Sequence, residues 1–237
     1  MSVIVTGAAQ GIGRRTAELL IKAGETVVAV DRNEALLAEI GGSVRVVVGD
    51  VTDSTTIERA CDAAIDVTGL VACAGISRPG PSATYSAEDW SEIIEVNLAA
   101  VFLAIRGAAA HAVDGASLVA ISSISGIQGF AGRAAYSASK AGVDGLVRTL
   151  AVEYAPRLRV NAVAPGYIMT DLVRRNLAVG AISEQMVLSR TPLARWGTPD
   201  DVGQAVQFLL SPMSSFITGI TLPVDGGWTS FGLGLGS

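Results

Sequence analysis

With 237 residues, half of them hydrophobic and only 16% charged, the chain is long enough for one α/β domain with a large core. The formal net charge of −5, with no cluster of Lys and Arg, argues against a nucleic-acid partner. Two cysteines are too few for a disulfide scaffold, and we interpret Cys61 and Cys73 as unpaired thiols in a reducing compartment. No group of His, Cys and carboxylate residues has metal-ligand spacing, so no metal is expected.

A membrane location is not expected from the apolar segments. The first residues lack a basic stretch followed by an apolar region with a cleavage site. The most apolar helical stretch, residues 98–110, is interrupted by Arg106 and is too short to span a bilayer. We therefore expect a cytoplasmic protein with no membrane partner.

Short β-branched runs alternate with longer helical patterns along the whole chain. The predicted strands are residues 3–6, 26–30, 44–48, 69–73, 117–121, 159–163 and 221–224. The main predicted helices are residues 12–23, 87–110 and 136–154. Strands joined by helix-length connections are mostly parallel, with helices packed on both sheet faces. The expected fold is a doubly wound α/β domain with a mostly parallel seven-stranded sheet, in a single domain over residues 1–237.

Local signals mark two helix ends. Ser86, three residues before Asp89, is a predicted helix N-cap. Gly24 follows the first predicted helix, where a glycine can take the left-handed conformation. His111, near the end of the second long helix and before an Asp-Gly turn, is interpreted as a solvated residue and not as a catalyst.

Residues 170–198 depart from this alternation and follow the end of a strand. Ligands collect at such strand ends in open α/β sheets. We interpret the segment as a lid over the substrate, with an ordinary pair of surface helices as the alternative.

A glycine-rich turn joins the first predicted strand to the first helix. It reads Thr6-Gly7-Ala8-Ala9-Gln10-Gly11-Ile12-Gly13. Glycines allow a pyrophosphate to approach the backbone, and the helix N-terminus contributes partial positive charge. A tight turn also needs glycine, but the strand before and the helix after favour a dinucleotide site of the Rossmann type. The expected contact residues are Gly7, Gln10, Gly11, Ile12 and Gly13.

Asp31 ends the second strand about twenty residues further on, where its carboxylate can bind the adenosine ribose hydroxyls. The same charge would repel a 2′-phosphate by about 4 kcal/mol at 4 Å and an effective dielectric near 20. Arg32 is a complication, because its guanidinium could pair with that phosphate. Since Gln10 adds no second basic group, NAD is the favoured cofactor and NADP the less favoured one.

Two residues after the third strand are also assigned to the cofactor. Asp50 is expected at the adenine amino group, with Val51 against the ring. A charge near the start of the following helix is an equally good interpretation of Asp50.

Three residues have a specific spacing in the second half of the chain. Ser123 is followed by Tyr136 thirteen residues later and by Lys140 four residues after that, with Asn97 upstream. Together with the glycine turn, these residues resemble the short-chain dehydrogenase/reductase family in its single-domain form, over essentially the whole chain. The glycine turn alone has low specificity, whereas the Ser, Tyr and Lys spacing is highly specific.

Physical reasoning supports a proton-transfer role for Tyr136. Tyr136 and Lys140 share one face of a helix. Lowering a tyrosine pKa from about 10 to about 7 requires roughly 4 kcal/mol, which a nearby ammonium and a cationic nicotinamide can supply. The resemblance implies that Lys140 also binds the nicotinamide ribose, that Ser123 holds the substrate oxygen and that Asn97 fixes a water in a proton relay. Ser122 is interpreted as a backbone-bonding neighbour of Ser123.

The segment after the fourth strand departs from the family pattern. The family usually has Asn-Asn-Ala-Gly there, and this chain has Ala72-Cys73-Ala74-Gly75. Ala74 and Gly75 still allow the backbone to approach the adenosine, but the two amide side chains are missing. The departure puts the local rigidity in question more than the chemistry.

The segment after the sixth strand matches the family more closely. Pro165-Gly166-Tyr167-Ile168-Met169-Thr170 resembles the part of the family that lies beneath the nicotinamide. The resemblance implies that Pro165 and Gly166 contact the cofactor, and that the Ile168 backbone and the Thr170 hydroxyl bind the carboxamide.

The expected activity is hydride transfer between NAD and a small-molecule secondary alcohol or ketone, with a sugar, a polyol or a simple secondary alcohol favoured. A 3-oxoacyl thioester reductase is the alternative, and a non-catalytic dinucleotide sensor is a candidate of another class. Small residues in both long helices predict a homodimer or homotetramer. The glycine-rich tail, residues 226–237, is either a loose terminus or a cover for the substrate site or a neighbouring subunit.

Overall fold

A parallel seven-stranded sheet forms the centre of the molecule in the computed structural model, which describes residues 2–178 and 182–232. The strand order is β3-β2-β1-β4-β5-β6-β7, and every neighbouring pair is parallel. The strands are β1 (Ser2–Thr6), β2 (Thr26–Asp31), β3 (Val44–Val48), β4 (Val67–Ala72), β5 (Ala112–Ile121), β6 (Arg159–Pro165) and β7 (Thr221–Val224). The doubly wound α/β prediction is confirmed.

Helices cover both faces of this sheet. They are α1 (Gly11–Lys22), α2 (Glu34–Leu37), α3 (Ser54–Ala63), α4 (Ala87–Ile94), α5 (Ala100–His111), α6 (Ile124–Ile127), α7 (Ala134–Tyr154), α8 (Asp171–Ala178), α9 (Glu184–Arg190) and α10 (Pro199–Leu210). A π-helical segment, Glu95–Ala99, joins α4 to α5, so the single helix predicted over 87–110 contains a wider turn. The predicted caps are confirmed: the Ser86 hydroxyl accepts from Asp89 N at 3.0 Å, and Gly24 has φ +92°.

The central parts of the strands are mostly apolar because helices cover both faces of the sheet there. All five residues of β1 are buried, and the core divides into two clusters of apolar side chains. One cluster contains residues of α3, α5 and α7, and the other contains residues of α1 and α10. This two-sided burial is the reason that the strands show no alternation of polar and apolar residues.

β5 begins five residues earlier than the sequence predicts. Ala112 pairs with Val67 at the start of β4, and a register shift follows before Gly69 pairs with Ser117. The Asp-Gly pair that suggested a turn lies inside this strand, where Gly115 takes φ +86°. A positive φ at glycine therefore lets the strand continue through the irregularity.

The chain changes direction across the sheet at β1. From β1 it builds β2 and β3 on one side, then crosses back to place β4 on the other side. Between β1 and β4 the helices that follow them diverge to opposite faces, which opens a crevice at the carboxyl ends of these strands. This crevice is where a dinucleotide is bound in folds of this type.

One helical stretch, Ala87–His111, is long and apolar enough to cross a membrane by length and composition alone. Its mean hydropathy is 1.7 over the most apolar window, of which 44% is buried. The prediction that this region is too short considered only residues 98–110, whereas the continuous helical run has 25 residues. Buried core helices pass the same test, and Val101, Ala104 and Ile105 pack into the core here.

Candidate active site and cofactor cleft

A cleft of about 700 Å³ opens at the carboxyl ends of the strands. Every residue that the sequence assigned to the cofactor or to catalysis lines it, with the exception of Asn97. These lining residues are Gly7, Gln10, Gly11, Ile12, Gly13, Asp31, Arg32, Asp50, Val51, Ala74, Gly75, Ser123, Tyr136, Lys140, Pro165, Gly166, Ile168 and Thr170. The fold therefore gathers segments from across the chain around one space.

The glycine turn has the geometry that a dinucleotide pyrophosphate needs. Gly7 and Gly11 have φ of +66° and +59°, a conformation that other residues rarely adopt. A Cβ on Gly7 would lie 2.8 Å from Ala74 Cα, and one on Gly13 would lie 2.1 Å from the Gly7 carbonyl oxygen. Gln10 is the N-cap of α1 but makes no side-chain cap, so the first N–H groups of this twelve-residue helix stay available to an anion. The residues present fit a bound dinucleotide.

Asp31 connects the glycine turn to the end of β2. One carboxylate oxygen accepts from Ala9 N at 3.1 Å, and the other accepts from Asn33 N at 3.0 Å. These two bonds fix the carboxylate at the edge of the cleft, where each oxygen keeps lone pairs for a ligand hydroxyl.

The structure separates Asp50 from the start of the next helix. Asp53 is the N-cap of α3, and its carboxylate accepts from Thr55 N at 2.9 Å. Asp50 instead accepts from both Thr52 N and the Thr52 hydroxyl, and these bonds, with a smaller contribution from the charge of Arg32, hold the pKa of Asp50 below its usual value. Of the two interpretations of Asp50, the helix-start role therefore belongs to Asp53, whereas Asp50 lines the cleft with Val51.

The Thr6 hydroxyl holds the segment after β4, in which the amide side chains of the family pattern are missing. Its hydroxyl oxygen accepts from Cys73 N at 3.1 Å and from Ala74 N at 3.3 Å. The turn that carries Ala74 and Gly75 is thus attached to the end of β1. The local rigidity that the departure from the family pattern put in question is supplied by this hydroxyl.

Asn97 lies behind the cleft and holds the next part of the same turn. Its amide accepts from Ile76 N at 2.8 Å, donates to Ile76 O at 2.9 Å and donates to the Ser139 hydroxyl at 3.3 Å. A Cβ on Gly75 would lie 3.3 Å from the Asn97 oxygen and 3.7 Å from Lys140 Nζ. The side chain therefore links this turn to α7, and its expected part in a water relay stays a prediction.

Tyr136, Lys140 and Ser123 meet in the cleft. Lys140 Nζ lies 5.7 Å from the centre of the Tyr136 ring and donates to Ile121 O at 2.7 Å. Lys140 is only 3% exposed, and this burial lowers its pKa to about 8. Ser123 is the N-cap of α6, where its hydroxyl accepts from Ser125 N, and it also lies within hydrogen-bonding reach of the Tyr136 phenol.

The Tyr136 phenol is less acidic in the chain alone than in free tyrosine. Burial raises its pKa above the usual value of 10, and the hydrogen bond with Ser123 and the charge of Arg133 oppose that rise without cancelling it. The acidification expected from Lys140 and a cationic nicotinamide stays a prediction for the cofactor-loaded protein.

The neighbouring polar residues have structural partners. The Ser122 hydroxyl donates to Lys140 O at 3.2 Å, in agreement with its expected backbone-bonding role. Cys61 and Cys73 are free thiols, and burial raises the pKa of Cys73 to about 12, which makes it a poor nucleophile. His111 is exposed at the end of α5, as expected, with Nδ1 2.9 Å from Gly107 O. Within residues 2–178 and 182–232, no His, Cys and carboxylate groups assemble into a metal site.

The segment after β6 forms part of the lining of the cleft. A Cβ on Gly166 would lie 2.8 Å from the Asp225 backbone, so this glycine permits close contact with the chain after β7. Ile168 pairs with Gly197, and the Thr170 methyl lies 3.6 Å from the position of a Cβ on Gly11. In the predicted lid, Asp171 and Val173 of α8 line the cleft, while residues 179–181 lie outside the described residues.

The chain after β7 is anchored at its start. Trp228 is 3% exposed and packs against Phe130 and Tyr167, so the loose-terminus interpretation is wrong for this residue. The predicted apolar residues of the tail beyond position 232 lie outside the described residues.

A parallel doubly wound sheet defines a dinucleotide-binding protein of the Rossmann type when a glycine-rich turn lies at the point where the strand order reverses. The profile of a family described as enoyl-(acyl carrier protein) reductase matches residues 7–229. The 3-oxoacyl-[acyl-carrier-protein] reductase of Thermotoga maritima is 38% identical, over 94% of this chain and 96% of that protein. The cis-4-hydroxycyclohexanecarboxylate dehydrogenase of Sinomonas cyclohexanicum is 39% identical, over 96% of each chain.

A solved structure from Agrobacterium tumefaciens with bound NADP superposes with a TM-score of 0.88 at 34% identity, over 97% of this chain and 96% of that one. The chain belongs to the short-chain dehydrogenase/reductase family. It is an oxidoreductase that interconverts a secondary alcohol and a ketone with a nicotinamide dinucleotide.

The roles of several residues that shape the site were not predicted from the sequence. Thr6 holds the turn after β4, Ile121 supplies the acceptor for Lys140, and Ser139 donates to Tyr136 O while accepting from Asn97. The position of Thr6, at the strand end just before the glycine turn, was a usable signal. The Ile121 carbonyl had no signal, because a backbone group is common to every residue type.

Proposed function

We propose that Tyr136 transfers the proton when this enzyme interconverts a secondary alcohol and its ketone, with NAD as the cofactor. The supporting observation is the convergence of Tyr136, Lys140 and Ser123 in the cleft that the glycine turn borders. The phenol is the acidic hydroxyl of the three, and the charges of Lys140 and of an oxidised nicotinamide would oppose the rise in its pKa that burial causes. Ser123 holds the substrate oxygen, and Tyr136 donates or removes its proton.

The bound nicotinamide supplies the hydride acceptor or donor and, when oxidised, a positive charge. For ketone reduction, the protonated phenol of Tyr136 is ready to donate, because burial raises its pKa. For alcohol oxidation the phenol must lose its proton, and each unit by which its pKa falls requires about 1.4 kcal/mol of preferential phenolate stabilisation. Lys140, attached to Ile121 O, places a fixed cation close to the ring for this purpose.

The choice of NAD is supported by Asp31. Its carboxylate is held at the cleft edge by Ala9 N and Asn33 N, where it would accept from ribose hydroxyls and repel a 2′-phosphate. NADP is the alternative, since Arg32 lines the same cleft and one solved relative binds NADP. Comparing kcat/KM with NAD and NADP tests this proposal, and a preference for NADP would overturn it.

For the substrate, we propose a small secondary alcohol, a sugar or a polyol. A 3-oxoacyl thioester is the second candidate, because the Thermotoga maritima relative is a reductase of such a thioester. Initial rates with a panel of polyols, cyclic alcohols and a 3-oxoacyl thioester distinguish the two. Residues 170–198 are proposed to cover the bound substrate, since Asp171 and Val173 already reach the cleft.

The decisive experiment for the function is Tyr136→Phe. This variant should fold and bind the dinucleotide with wild-type affinity, but lose turnover by at least about a hundredfold, the contribution typical of a positioned acid–base. Tyr154→Phe is the matched control, since Tyr154 ends the same helix and does not line the cleft. Near-normal turnover in Tyr136→Phe would refute the assignment. Dinucleotide binding without turnover in the wild-type chain would support the sensor class instead.

We propose that the protein is a cytoplasmic homodimer or homotetramer. An apolar groove of about 420 Å³ lies between the two long helices, lined by Leu98, Phe102, Gly142, Gly145 and Leu146 among others. Small residues there allow a second copy to approach closely, and Phe102 is 38% exposed. Light scattering of the wild-type chain and of Phe102→Asp tests this. A wild-type monomer at working concentration would contradict it.

A further inference from the structure

Residues 225–229, the Trp228 turn, follow β7 and fix the direction of one indole ring. The Asp225 carboxylate accepts from Gly227 N at 2.9 Å and from Thr229 N at 2.8 Å. Gly227 takes φ +90°, a left-handed conformation that favours glycine. The next residue, Trp228, is 3% exposed. The backbone of this turn therefore holds the indole ring inside the molecule.

The Trp228 ring packs against three side chains that come from separate parts of the chain. Its centre lies 6.3 Å from that of the Phe130 ring and 4.8 Å from that of the Tyr167 ring. The guanidinium carbon of Arg190 lies 5.0 Å from the same centre. Aromatic rings and guanidinium groups both gain from contact with a tryptophan ring. Trp228 thus joins three segments that are distant in the sequence.

Hydrogen bonds to the backbone of the Trp228 turn connect two of the same segments. Gln128 donates Nε2 to Thr229 O at 3.3 Å. Leu193 donates its backbone N–H to Gly226 O at 3.1 Å. The loop that contains Phe130 and the chain after α9 are therefore attached to this turn by more than the ring.

Two of the joined segments carry residues of the cleft. Phe130 lies in the loop between Ser123 and Tyr136, which both line the cleft. Tyr167 lies between two lining residues of the segment after β6. Trp228 itself is not one of the lining residues, so its influence on the cleft acts through these neighbours.

The third segment belongs to the proposed lid, residues 170–198. Arg190 ends α9 within it. Trp196, near the end of the lid, packs edge-on against Tyr167 with 5.9 Å between ring centres. At the start of the lid, Asp171 lines the cleft. One end of the lid thus lies at the cleft, and the other end packs against the aromatic rings.

We propose that Trp228 is a positioning residue, which holds the loop before Tyr136 and the proposed lid in one arrangement without contacting the substrate. Ser123 and Tyr136 are thirteen residues apart, so the loop between them contributes to the distance between their hydroxyls. A misplacement of reacting groups by about 1 Å can cost about a hundredfold in rate. The proposal rests on the proposed function, because it assumes that Tyr136 transfers the proton and that the lid covers the substrate.

The packing of the ring carries this role, and a hydrogen bond of the indole does not. Trp228 Nε1 is buried and has no hydrogen-bond partner among the residues that the structure describes. Phenylalanine keeps an aromatic ring for contact with Phe130, Tyr167 and Arg190, whereas leucine does not. Trp228→Phe should therefore keep most of the activity that Trp228→Leu loses.

The test compares the wild type, Trp228→Leu and Trp228→Phe with cyclohexanol and sorbitol as alcohols. In Trp228→Leu, kcat/KM should fall at least about tenfold, through both a higher KM for the alcohol and a lower kcat. The Kd for NAD should change less than about threefold, because the glycine turn and Asp31 follow β1 and β2, which are separated from β7 in the sheet. Trp228→Phe should stay within about threefold of the wild type in all values. Phe216→Leu is the matched control, because Phe216 is fully exposed and precedes β7, at the edge of the sheet opposite the cleft.

Trypsin digestion gives a readout that does not depend on turnover. Arg174 and Arg175 of α8 are exposed cleavage sites in the proposed lid. With NAD present, Trp228→Leu should be cut there at least about fivefold faster than the wild type, because cleavage requires local opening of the segment. Trp228→Phe should be cut at the wild-type rate. If Trp228→Leu does not fold, Phe130→Leu replaces it, since this half-buried side chain forms one of the same ring contacts.

The possible results separate the positioning role from the chemistry. Wild-type kinetics and wild-type cleavage in Trp228→Leu, whatever its melting temperature, would overturn the positioning role and leave the dehydrogenase intact. Equal losses in Trp228→Phe and Trp228→Leu would refute the role of the ring. Faster cleavage of Trp228→Leu, in a protein that binds NAD but oxidises no alcohol, would support the hold of Trp228 on the lid and refute the proposed function.

Discussion

Thr6→Val removes the hydroxyl that holds the turn after β4 and changes little else. Thr6 is buried, and valine keeps its branched shape. The lost oxygen is the acceptor for Cys73 N at 3.1 Å and for Ala74 N at 3.3 Å. Ala74 Cα lies only 2.8 Å from where a Cβ on Gly7 would be, so the turn after β4 packs directly against the glycine turn. A shift of the turn after β4 therefore moves the backbone that borders the dinucleotide site.

The expected cost follows from the two N–H groups that lose their acceptor. Each unpaired buried donor costs about 1–3 kcal/mol, and the cost is smaller where water can reach the group. Cys73 and Ala74 line the cleft, so water from the cleft can reach them and the lower half of the range applies. We expect the free energy of unfolding to fall by about 2–4 kcal/mol in total.

Urea unfolding of wild type, Thr6→Val and Thr6→Ser measures this free energy. Thr6→Ser keeps the acceptor and loses one methyl group, so it should lose only about 1 kcal/mol. The KM for the dinucleotide should rise in Thr6→Val and stay near the wild-type value in Thr6→Ser. A Thr6→Val protein within 0.5 kcal/mol of wild type, with an unchanged KM, would refute the anchoring role.

Three further predictions concern the glycine turn and the side chains of Lys140 and Tyr136. Gly13→Ala should fold but lose dinucleotide affinity by at least about a hundredfold, because a Cβ there would lie 2.1 Å from the Gly7 carbonyl oxygen. Isothermal titration calorimetry measures this affinity, and an unchanged value would contradict the prediction. Lys140→Met should be more stable than wild type by about 1–3 kcal/mol at pH 7, since burial lowers the pKa of Lys140 to about 8. Between pH 8 and 10.5 the unfolded wild-type chain binds more protons than the folded one, so wild-type stability rises with pH there. The stability difference between Lys140→Met and wild type should therefore shrink over this range. A difference in melting temperature that widens from pH 7 to 10 would contradict the prediction. The Tyr136 phenol should not ionise below pH 10 without cofactor, and it should ionise at lower pH with NAD bound. The difference in phenolate absorbance between wild type and Tyr136→Phe measures this ionisation. Identical titration curves with and without NAD would contradict the prediction.

Much of the fold could be predicted from the sequence because the relevant forces are local or repeat along the chain. Apolar runs separated by helical patterns correctly predicted seven strands and a parallel sheet. The capping role of Ser86 and the left-handed Gly24 depend only on residues a few positions away, and both were confirmed. The errors arose where pairing across the chain decides the outcome, as at β5, whose start is set by Ala112 opposite Val67.

The cleft residues were predictable for a different reason. Glycines in the cradle and the spacing of Ser123, Tyr136 and Lys140 are stated by residue type and sequence separation alone. Thr6 was not assigned a role, because a threonine acquires one only from the groups that the fold places beside it.

The sequence by itself therefore determined the sheet, the cradle and the chemical class of the reaction, since each depends on residue types at short or regular separations. Only the tertiary structure decided how the cleft residues are held: that the Thr6 hydroxyl accepts from the turn after β4, that Asn97 hydrogen-bonds the Ile76 backbone, and that burial raises the pKa of the Tyr136 phenol. Hydrogen-bond partners and burial come from segments many tens of residues apart. No local pattern along the chain records them.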